Sequence, residues 1–493
     1  MQDVPTKLNN ANLDSLPEGV IVPTYDRSSL TPGMVHIGLG NFHRAHQAWY
    51  LHRLMEMGLA HDWAIIGAGV RASDAKQRDN LASQDYLTTL IALDPYKISA
   101  EVAGSMIGFA LVEPHNAALI AQMADPAIRI VALTVTEGGY YIDPATKGFD
   151  ATHPDIVHDA ANPQIPVTAF GAIIAALAKR RSARSGPFTC MCCDNLQGNG
   201  AILRQTVLSL ANMSDTGLAD WIEAECSFPN SMVDCIVPAT GPVELDLVRT
   251  LGIDDVSPVT HENFRQWVIE DDFCAGRPDW EKAGATFTDN VHKFEAMKIR
   301  LLNGGHQVLA NAGELLSIQT IAGCMQHDAI RKLFLKVART EVVPHVEPVP
   351  GMAPEDYVDL IFTRFSNPKI VDTTRRVSFD GSSRHPGFIL PAIREGLAKG
   401  TPIQGLALVE AAWARMCEGT REDGTVIEPN DPFWNDLQTT AKAAKSDPMQ
   451  WLVMPHIYGD LAHEPRFAEA FCKWLVAIWA DGIEAAIHQC CAE

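Results

Sequence analysis

A short apolar run that ends in two closely spaced glycines constrains the fold of this chain more than any other feature. The run Met34–Gly40 ends in Gly-x-Gly, and a helical pattern follows it as far as Met55. Strand, glycine turn and helix open a dinucleotide-binding βαβ unit, in which Gly38 allows the tight turn and Gly40 lets the backbone approach a pyrophosphate. The third glycine of the fingerprint is replaced by His43, so a purely steric role for the two glycines stays open.

Several further runs have the composition of buried strands. Two of them are nearly continuous apolar segments, as expected for parallel strands that are covered on both faces. Because ligands bind beyond the carboxyl ends of such strands, Glu137 and Asn195, which follow two of the runs, are candidate site residues. Turn chemistry explains the same residues equally well. The predicted strands are Trp63–Gly67, Arg129–Val135, Phe188–Cys193 and Met232–Val237, with a helix over Ala169–Ala178.

The character of the sequence changes after about residue 290, where strand-like runs give way to long helical patterns. Together with the length of 493 residues, this change predicts two domains. We expect an α/β dinucleotide-binding domain over residues 1–289 and a mainly α-helical substrate and catalytic domain over residues 290–493. The predicted helices of the second domain are Asp328–Val343, Asp356–Phe365, Gln404–Met416 and Arg466–Ile487.

The stretch Met297–His306 places a lysine, an amide and an imidazole inside a segment with the apolar pattern of a buried helix. In a regular α-helix, Lys298, Asn303 and His306 fall within a sector of roughly 140°. A desolvated lysine loses its proton more readily and is then a general base near neutral pH. A surface helix with an extended lysine explains the triplet alone as well. We expect this helix at the junction of the two domains, where ligand clefts form.

An acidic residue follows the second predicted strand. Asp74 is suited to accept hydrogen bonds from the adenosine ribose hydroxyls and to repel a 2′-phosphate, which favours NAD over NADP. Its distance along the chain from the glycine turn exceeds the usual interval of about 20 residues. The alternative role is an N-cap for a helix over Ala75–Leu81.

The composition argues against several other classes of function. A formal net charge of -21 opposes binding to nucleic acid or to an anionic membrane. The polar start lacks a signal-peptide apolar region, and no apolar run approaches the length of a membrane span. The 11 cysteines indicate reduced thiols in the cytoplasm, and Cys190 and Cys193 have no second pair to complete a zinc site. We therefore expect a cytoplasmic enzyme that uses no metal.

Eight short motifs occur along the chain in one order. They are Gly38–Gln47, Leu133–Tyr140, Cys193–Leu196, Phe228–Asp234, Gln266–Phe273, Gly276–Lys282, Met297–His306 and Arg376–Arg384. With these motifs, the sequence resembles the long-chain mannitol dehydrogenase family of polyol-specific, metal-independent NAD(P) oxidoreductases. The resemblance runs from about residue 30 to the C-terminus.

The resemblance implies an N-terminal Rossmann-type domain, an α-helical C-terminal domain and an active site between them. Lys298 matches the catalytic lysine that takes the proton from a secondary alcohol. Asn195 and Asn303 match two asparagines whose amides hold the developing alkoxide, so that no metal is needed as a Lewis acid. Glu137 matches an acid near the proton exit route.

The resemblance also implies contacts to cofactor and substrate. NAD is the expected cofactor and NADP the weaker alternative, because Asp74 matches the acid behind NAD preference, whereas Ser73 stands where a second acid can occur. Cys235 and Arg384 depart from the arginine and lysine of relatives, which leaves the substrate open. The expected cofactor-binding residues are Ile37, Gly38, Leu39, Gly40, Asn41, Phe42, Arg71, Asp74, Val135 and Thr136. The expected substrate-binding residues are Asp234, His306, Arg376 and Arg384.

The expected reaction is reversible hydride transfer between a secondary carbon of a linear polyol and nicotinamide, with mannitol and fructose as the leading pair. Arabinitol and sorbitol are neighbouring substrates. A hexuronate reductase for fructuronate and mannonate is the alternative enzyme, because Arg375, Arg376 and Arg384 supply cations. A non-catalytic NAD-binding protein is the remote alternative, and the presence of Lys298 argues against it. The sequence is compatible with a monomer and leaves the preferred direction open.

Overall fold

The computed structural model describes residues 4–143 and 148–493, with the side chain of Glu137 outside the described set. The described residues up to His292 form one compact unit, and Lys293–Glu493 form another. The first unit is an α/β structure and the second consists mainly of helices, which confirms the predicted fold class.

A five-stranded parallel sheet forms the centre of the first unit. The strand Pro32–Ile37, which leads into the glycine turn, lies in the middle of this sheet. Four of the five strands overlap strands that the sequence predicts, whereas Met106–Phe109 at one edge was not predicted. In spatial order the strands are Met106–Phe109, Ala64–Ala68, Pro32–Ile37, Ile130–Leu133 and Thr189–Cys192.

The sheet of the first unit has a hydrophobic core on each face. Side chains alternate along a strand, so Val35 and Ile37 pack in one core cluster, whereas Met34 packs in the other. This double burial is why the strands read as nearly continuous apolar runs. The α-helices of this unit are Asn41–Ala45, Gln47–Glu56, Asp74–Ala82, Ala117–Ala124, Pro154–Ala161, Ala169–Ala183, Asn199–Ser214, Thr216–Glu225 and Pro242–Thr250.

Three smaller sheets complete the first unit. The strand that the sequence places at Met232–Val237 is Ser231–Asp234 in the structure, and it pairs antiparallel with Gln266–Ile269 outside the parallel sheet. Its apolar run resembles that of a parallel strand because both of its faces are also buried. The other strands are Thr6–Lys7, Thr88–Leu93, Ile98–Ala103, Ile253–Asp254, Val259–His261 and Thr286–Phe287.

The second unit consists of helices, two of which contain π-helical segments. One of these segments, Lys298–Asn303, joins the helices Val291–Met297 and Gly304–Leu315 without a break. The other, Val337–Val342, follows Asp328–Lys336. The remaining α-helices are Ile321–Gln326, Pro354–Phe365, Thr374–Val377, Gly381–Phe388, Leu390–Lys399, Gln404–Cys417, Trp434–Ala444, Met449–Leu452, Pro465–Asp481 and Ile483–Ala492.

The predicted helix Arg466–Ile487 was wrong as a single element. The chain forms two helices there, because Gly482 adopts a φ of +86° between them. Its N–H closes the first helix on Ile478 O, and the Ile483 N–H donates to the Glu422 carboxylate at 2.6 Å. A glycine in this conformation ends a helix, and the apolar periodicity of the sequence continues across it.

Candidate active site

The glycine turn follows directly from the central strand of the sheet. Gly38 has a φ of +93°, and a Cβ at this position would lie 2.0 Å from Thr134 O on the neighbouring strand. Only glycine fits such an approach. Around Gly40, no described atom lies within 4 Å of where a Cβ would be. The backbone at Gly40 is therefore accessible to a bound group, which fits the predicted dinucleotide site.

Aromatic rings occupy the position where the usual fingerprint has its third glycine. His43 stacks on His36 of the central strand, with ring centroids 3.4 Å apart. The Thr134 hydroxyl donates its one hydrogen to Gly38 O at 2.5 Å. It can therefore only accept from His36, so the His36 Nε2–H donates to Thr134 Oγ1 at 2.8 Å. Stacked flat rings thus allow the helix to lie close to the strand without glycine.

The Asn41 side chain fixes the start of the first helix. Its amide donates to Pro238 O at 3.1 Å and to Thr240 Oγ1 at 2.9 Å, and its oxygen accepts from Arg44 at 2.7 Å. Phe42 stacks on His46, with ring centroids 4.9 Å apart. The Asn41 amide therefore stabilises the turn, and its backbone is the part left to face a cofactor.

The Asp194 carboxylate organises the loop after the fourth strand of the sheet. It accepts the backbone N–H of Val135 at 2.9 Å and of Thr136 at 3.0 Å, and the Tyr140 hydroxyl at 2.6 Å. Thr136 has a φ of +70°, which is strained for a β-branched residue. This role of Asp194 was not predicted. A carboxylate directly after a buried strand was the available signal.

Asn195 and Asp234 follow the carboxyl ends of two strands of the first unit. Asn195 is exposed in the bend after Thr189–Cys192, and Asp234 is the buried last residue of its strand. The buried Asn199 amide links the two regions, because it donates to Asp194 O at 3.1 Å and to Ser231 O at 2.8 Å. Asn199 was not predicted, since an asparagine on a helix carries no specific signal.

Asp74 lies just beyond the second strand of the central sheet. It is the first residue of Asp74–Ala82, and its carboxylate accepts the Arg71 N–H at 3.0 Å. A Cβ on Gly69 would lie 2.3 Å from the Asp74 Cβ, so the loop between strand and helix requires glycine. Arg71 itself is exposed. The carboxylate therefore shapes the loop after the second strand, where the cofactor was predicted to bind.

The π-helical segment changes the geometry of the lysine and the asparagine in the second unit. The Gly304 N–H donates to Ile299 O, five residues back, as in a π turn. Residues five apart lie about 140° apart in an α-helix but much closer in angle in a π turn. Lys298 and Asn303 are five apart, so the regular helix expected there was wrong and the true arrangement brings them closer in angle. Lys298 is only 7% exposed.

The opposite side of the π segment is anchored by an ion pair. Arg300 makes two hydrogen bonds of 2.7 Å to the Glu395 carboxylate and one of 2.9 Å to His345 O. Such a two-point contact fixes the guanidinium in position and orientation. Arg300 was not among the predicted site residues.

His306 lies among charged groups of the second unit. Burial lowers the pKa of His306 to about 4. The charge of Asp372 opposes this shift, and the charges of three arginines, Arg376, Arg364 and Arg384, reinforce it. The ring packs against Phe365 with centroids 4.3 Å apart, and its Nδ1 is buried without a hydrogen-bond partner in the part of the chain that the structure describes. The imidazole is therefore neutral near pH 7.

Two of the predicted substrate-binding arginines of the second unit have defined partners there. Arg376 donates to Asp372 Oδ1 at 2.7 Å, and Arg384 donates to Val377 O at 2.5 Å. Arg375, one of the three arginines that the hexuronate alternative cites as cations, donates to the carbonyl oxygens of Glu428 and Pro429. These contacts hold Arg376 beside Asp372 and bind Arg375 to the main chain.

The remaining predictions concern Glu137, metal and membrane. Glu137 begins the 3₁₀ helix Glu137–Tyr140, but its side chain lies outside the described residues. Within residues 4–143 and 148–493, no three His, Cys, Asp or Glu side chains are grouped so as to hold a metal ion. In the same part of the chain, no helix is both long and apolar enough to cross a membrane.

Comparisons with known proteins identify the family. The family model of the mannitol dehydrogenase Rossmann domain matches residues 32–282, and that of the mannitol dehydrogenase C-terminal domain matches residues 290–479. The mannitol 2-dehydrogenase of Cereibacter sphaeroides is 56% identical, over 95% of this chain and 98% of that protein. The mannitol 2-dehydrogenase of Aspergillus terreus is 40% identical, over 97% of this chain and 98% of that protein.

Solved structures agree with these matches. The ternary complex of Pseudomonas fluorescens mannitol 2-dehydrogenase with NAD and D-mannitol has a TM-score of 0.87 at 40% identity, over 98% of this chain and 99% of that one. A D-sorbitol dehydrogenase in substrate-free form has a TM-score of 0.91 at 34% identity, over 98% of this chain and 100% of that one. The resemblance inferred from the motifs is confirmed. The chain belongs to the mannitol dehydrogenase family of oxidoreductases that act on CH–OH groups.

Proposed function

We propose that this protein oxidises a secondary hydroxyl of a linear polyol, D-mannitol first, to the ketose with NAD, and catalyses the reverse reduction. The observation that carries the proposal is the π turn that aligns buried Lys298 with Asn303. Support also comes from the similar Pseudomonas enzyme, which was solved with NAD and D-mannitol.

In the proposed mechanism, Lys298 exchanges the proton of the reacting hydroxyl. The free amine accepts it during oxidation, and the ammonium returns it to the carbonyl oxygen during reduction. The amides of Asn195 and Asn303 donate to the same oxygen as negative charge develops on it. Amide donors stabilise this charge as a metal would, so the reaction needs no metal ion. The Glu137 carboxylate provides the proposed proton exit.

The proposed cofactor site uses the turns after the parallel strands. When bound, NAD supplies nicotinamide C4 as the hydride acceptor. The backbone from Ile37 to Phe42 is proposed to hold the pyrophosphate, and Val135 and Thr136 to border the nicotinamide half. The open backbone at Gly40 fits this assignment. Asp74, with Arg71 beside it, is proposed to face the adenosine ribose and to disfavour NADP by charge repulsion.

The substrate is proposed to bind through Asp234, His306, Arg376 and Arg384. A hexuronate would require an available cation for its carboxylate. Arg376 is paired with Asp372, so its charge is balanced by a carboxylate, which favours a neutral polyol over a hexuronate at this position. The structural similarity to a D-sorbitol dehydrogenase makes D-sorbitol the second candidate substrate.

A substrate panel tests the proposed function. The purified protein is assayed with D-mannitol, D-sorbitol, D-arabinitol and D-mannonate, each with NAD and with NADP, by the absorbance of the reduced cofactor. We expect the highest kcat/KM with D-mannitol and NAD. A higher kcat/KM with mannonate would contradict the proposal.

A further inference from the structure

Asp372 carries an unusual carboxylate. Its side chain is 5% exposed, and its Oδ1 accepts two guanidinium contacts of Arg376, at 2.7 and 2.6 Å. Its Oδ2 is buried and has no hydrogen-bond partner among the described residues. The backbone of Asp372 is fixed, because its N–H donates to Ile370 O at 3.0 Å and its carbonyl accepts the Ile321 N–H at 2.9 Å.

Two other buried carboxylates of the second unit use both oxygens. Glu314 pairs with Arg421 through Oε1 and accepts the Thr374 hydroxyl through Oε2 at 3.4 Å. Glu341 accepts two backbone N–H groups at 2.8 Å. Among the carboxylate oxygens of the described residues, Asp372 Oδ2 alone is both buried and unpaired. Buried polar atoms are rarely left unpaired, and each exception requires an explanation such as strain or a functional role.

The surroundings of this oxygen indicate what kind of ligand it fits. His306, a proposed substrate residue, is within electrostatic reach of Asp372, and its buried Nδ1 likewise has no partner among the described residues. A carboxylate oxygen requires a hydrogen-bond donor, and a polyol hydroxyl is such a donor. An ionised substrate carboxylate has no hydrogen to donate to it.

We propose that Asp372 accepts a hydrogen bond from a polyol hydroxyl through Oδ2 and thereby selects neutral polyols against sugar acids. This proposal rests on the proposed polyol oxidation. It assigns Asp372 a specificity role in addition to its pairing with Arg376. A hydroxyl held in this way orients the substrate and contributes to its binding, while the proton transfer stays with Lys298.

Monodeoxy analogues of D-mannitol test the proposal directly. Wild-type enzyme should lose about tenfold in kcat/KM with one analogue, the one that lacks the hydroxyl bound by Asp372. Asp372→Ala should lower kcat/KM for D-mannitol about tenfold, mainly by raising KM. The variant should also have the same kcat/KM for that analogue as for D-mannitol. Glu314→Gln changes another buried carboxylate that pairs with an arginine, Arg421, and is the control. This variant should still distinguish the deoxy analogue from D-mannitol. Unchanged discrimination in Asp372→Ala would overturn the proposal.

A second comparison separates the proposed role from simple anchoring of Arg376. If Asp372 only positioned Arg376, then Asp372→Ala in an Arg376→Ala background would cause no further loss with D-mannitol, and the proposal would fail. We expect a further loss of several-fold. Asp372→Asn, which keeps the shape of the side chain, should raise the ratio of kcat/KM for D-mannonate to that for D-mannitol. Failure of the proposed function is distinguishable, because wild-type enzyme would then show no D-mannitol oxidation at all.

Discussion

The two units present their candidate functional groups in different ways. In the first unit, the groups lie in turns directly after strands, as Gly38, Thr136 and Asn195 do. Parallel strands bring their carboxyl ends to one edge, so an error of one residue in a predicted boundary does not remove a group from that edge. In the second unit, Lys298 and Asn303 lie on a helix, where one additional residue rotates all that follows by about 100°.

The π segment shows the consequence of this difference. From Lys298 to Asn303 the chain advances by somewhat more than one turn of π helix, and His306 then follows three residues later in a regular helix. The three groups consequently span about 60° rather than the roughly 140° of a regular helix. π turns occur frequently at functional sites. The sheet unit tolerates approximate prediction of its elements, whereas the helical unit requires the turn geometry.

The largest expected effect tests the helical side of this comparison. Lys298→Ala should lower kcat in both directions by on the order of 10²–10⁴, the typical contribution of a positioned acid–base group. Affinity for NAD should stay nearly unchanged. In the wild type, the rate of polyol oxidation should rise with pH because it needs the free amine of Lys298. The rate of ketose reduction should fall over the same range because it needs the ammonium. Steady-state kinetics across pH measure both effects.

A matched lysine provides the control for this prediction. Lys293 lies five residues earlier, is 45% exposed and pairs with Glu347 at 2.7 Å. Lys293→Ala should keep wild-type turnover in both directions. Near wild-type activity and an unchanged pH profile in Lys298→Ala would mean that another group is the base.

The second prediction tests whether the π turn itself positions the lysine. Glu395→Gln weakens the contact that anchors Arg300, which lies between Lys298 and Asn303 in the π segment. Misplacement of a catalytic group by about 1 Å costs on the order of 10²-fold, so kcat should fall by up to about that factor with little change in KM. The exposed pair Arg339–Asp359 is the control, and Asp359→Asn should leave kcat unchanged. Equal kinetics of both variants would contradict a positioning role.

The sequence could identify Lys298, Asn303 and His306 but not their relative orientation. Their residue types stand out against an apolar helix, whereas a π turn leaves no composition signal. It depends instead on contacts distant in sequence, such as that between Arg300 and Glu395, which are 95 residues apart. Asp372 was missed for a similar reason, because its burial and its unpaired oxygen exist only in the folded chain.

The third prediction tests the sheet side of the comparison. Asp194→Asn removes the charge that holds the Val135 and Thr136 N–H groups and the strained Thr136 backbone. Hydrogen bonds to charged groups contribute about 1.5–3 kcal/mol, so binding of NAD should weaken by about tenfold or more. Asp215→Asn, which alters a helix cap of the same unit, should lower stability without changing NAD affinity. Isothermal titration with NAD distinguishes the two, and equal affinities would contradict the assignment.

In the first unit, more of the site could be predicted. Gly38, Gly40 and Asn195 follow apolar strands, and parallel topology alone brings them to one edge. What could not be predicted is the side-chain network that joins these turns. Asp194 and Asn199 connect regions that are far apart in sequence, and their residue types are equally common in turns that bind nothing.

The fourth prediction concerns cofactor choice. Asp74→Ala should raise the ratio of kcat/KM for NADP to that for NAD by about fivefold, because a partly exposed, screened repulsive charge is removed. Asp79→Ala on the same helix, whose carboxylate pairs with Arg78, is the control and should leave the ratio unchanged. An unchanged ratio in Asp74→Ala would mean that the carboxylate only supports the loop at Arg71.

The smallest effect on catalysis is expected from titration of His306. Its pKa of about 4 leaves the ring neutral between pH 5 and 8, so the KM for D-mannitol should show no inflection from this group there. Stability should respond differently. In the unfolded chain a histidine titrates near about 6.5, so the unfolded state binds more protons at intermediate pH, and stability is lost as pH falls from about 6.5 toward 4. His306→Gln should therefore show a smaller decrease in Tm over that range than the wild type. Parallel Tm curves would mean that the imidazole is protonated in the folded enzyme.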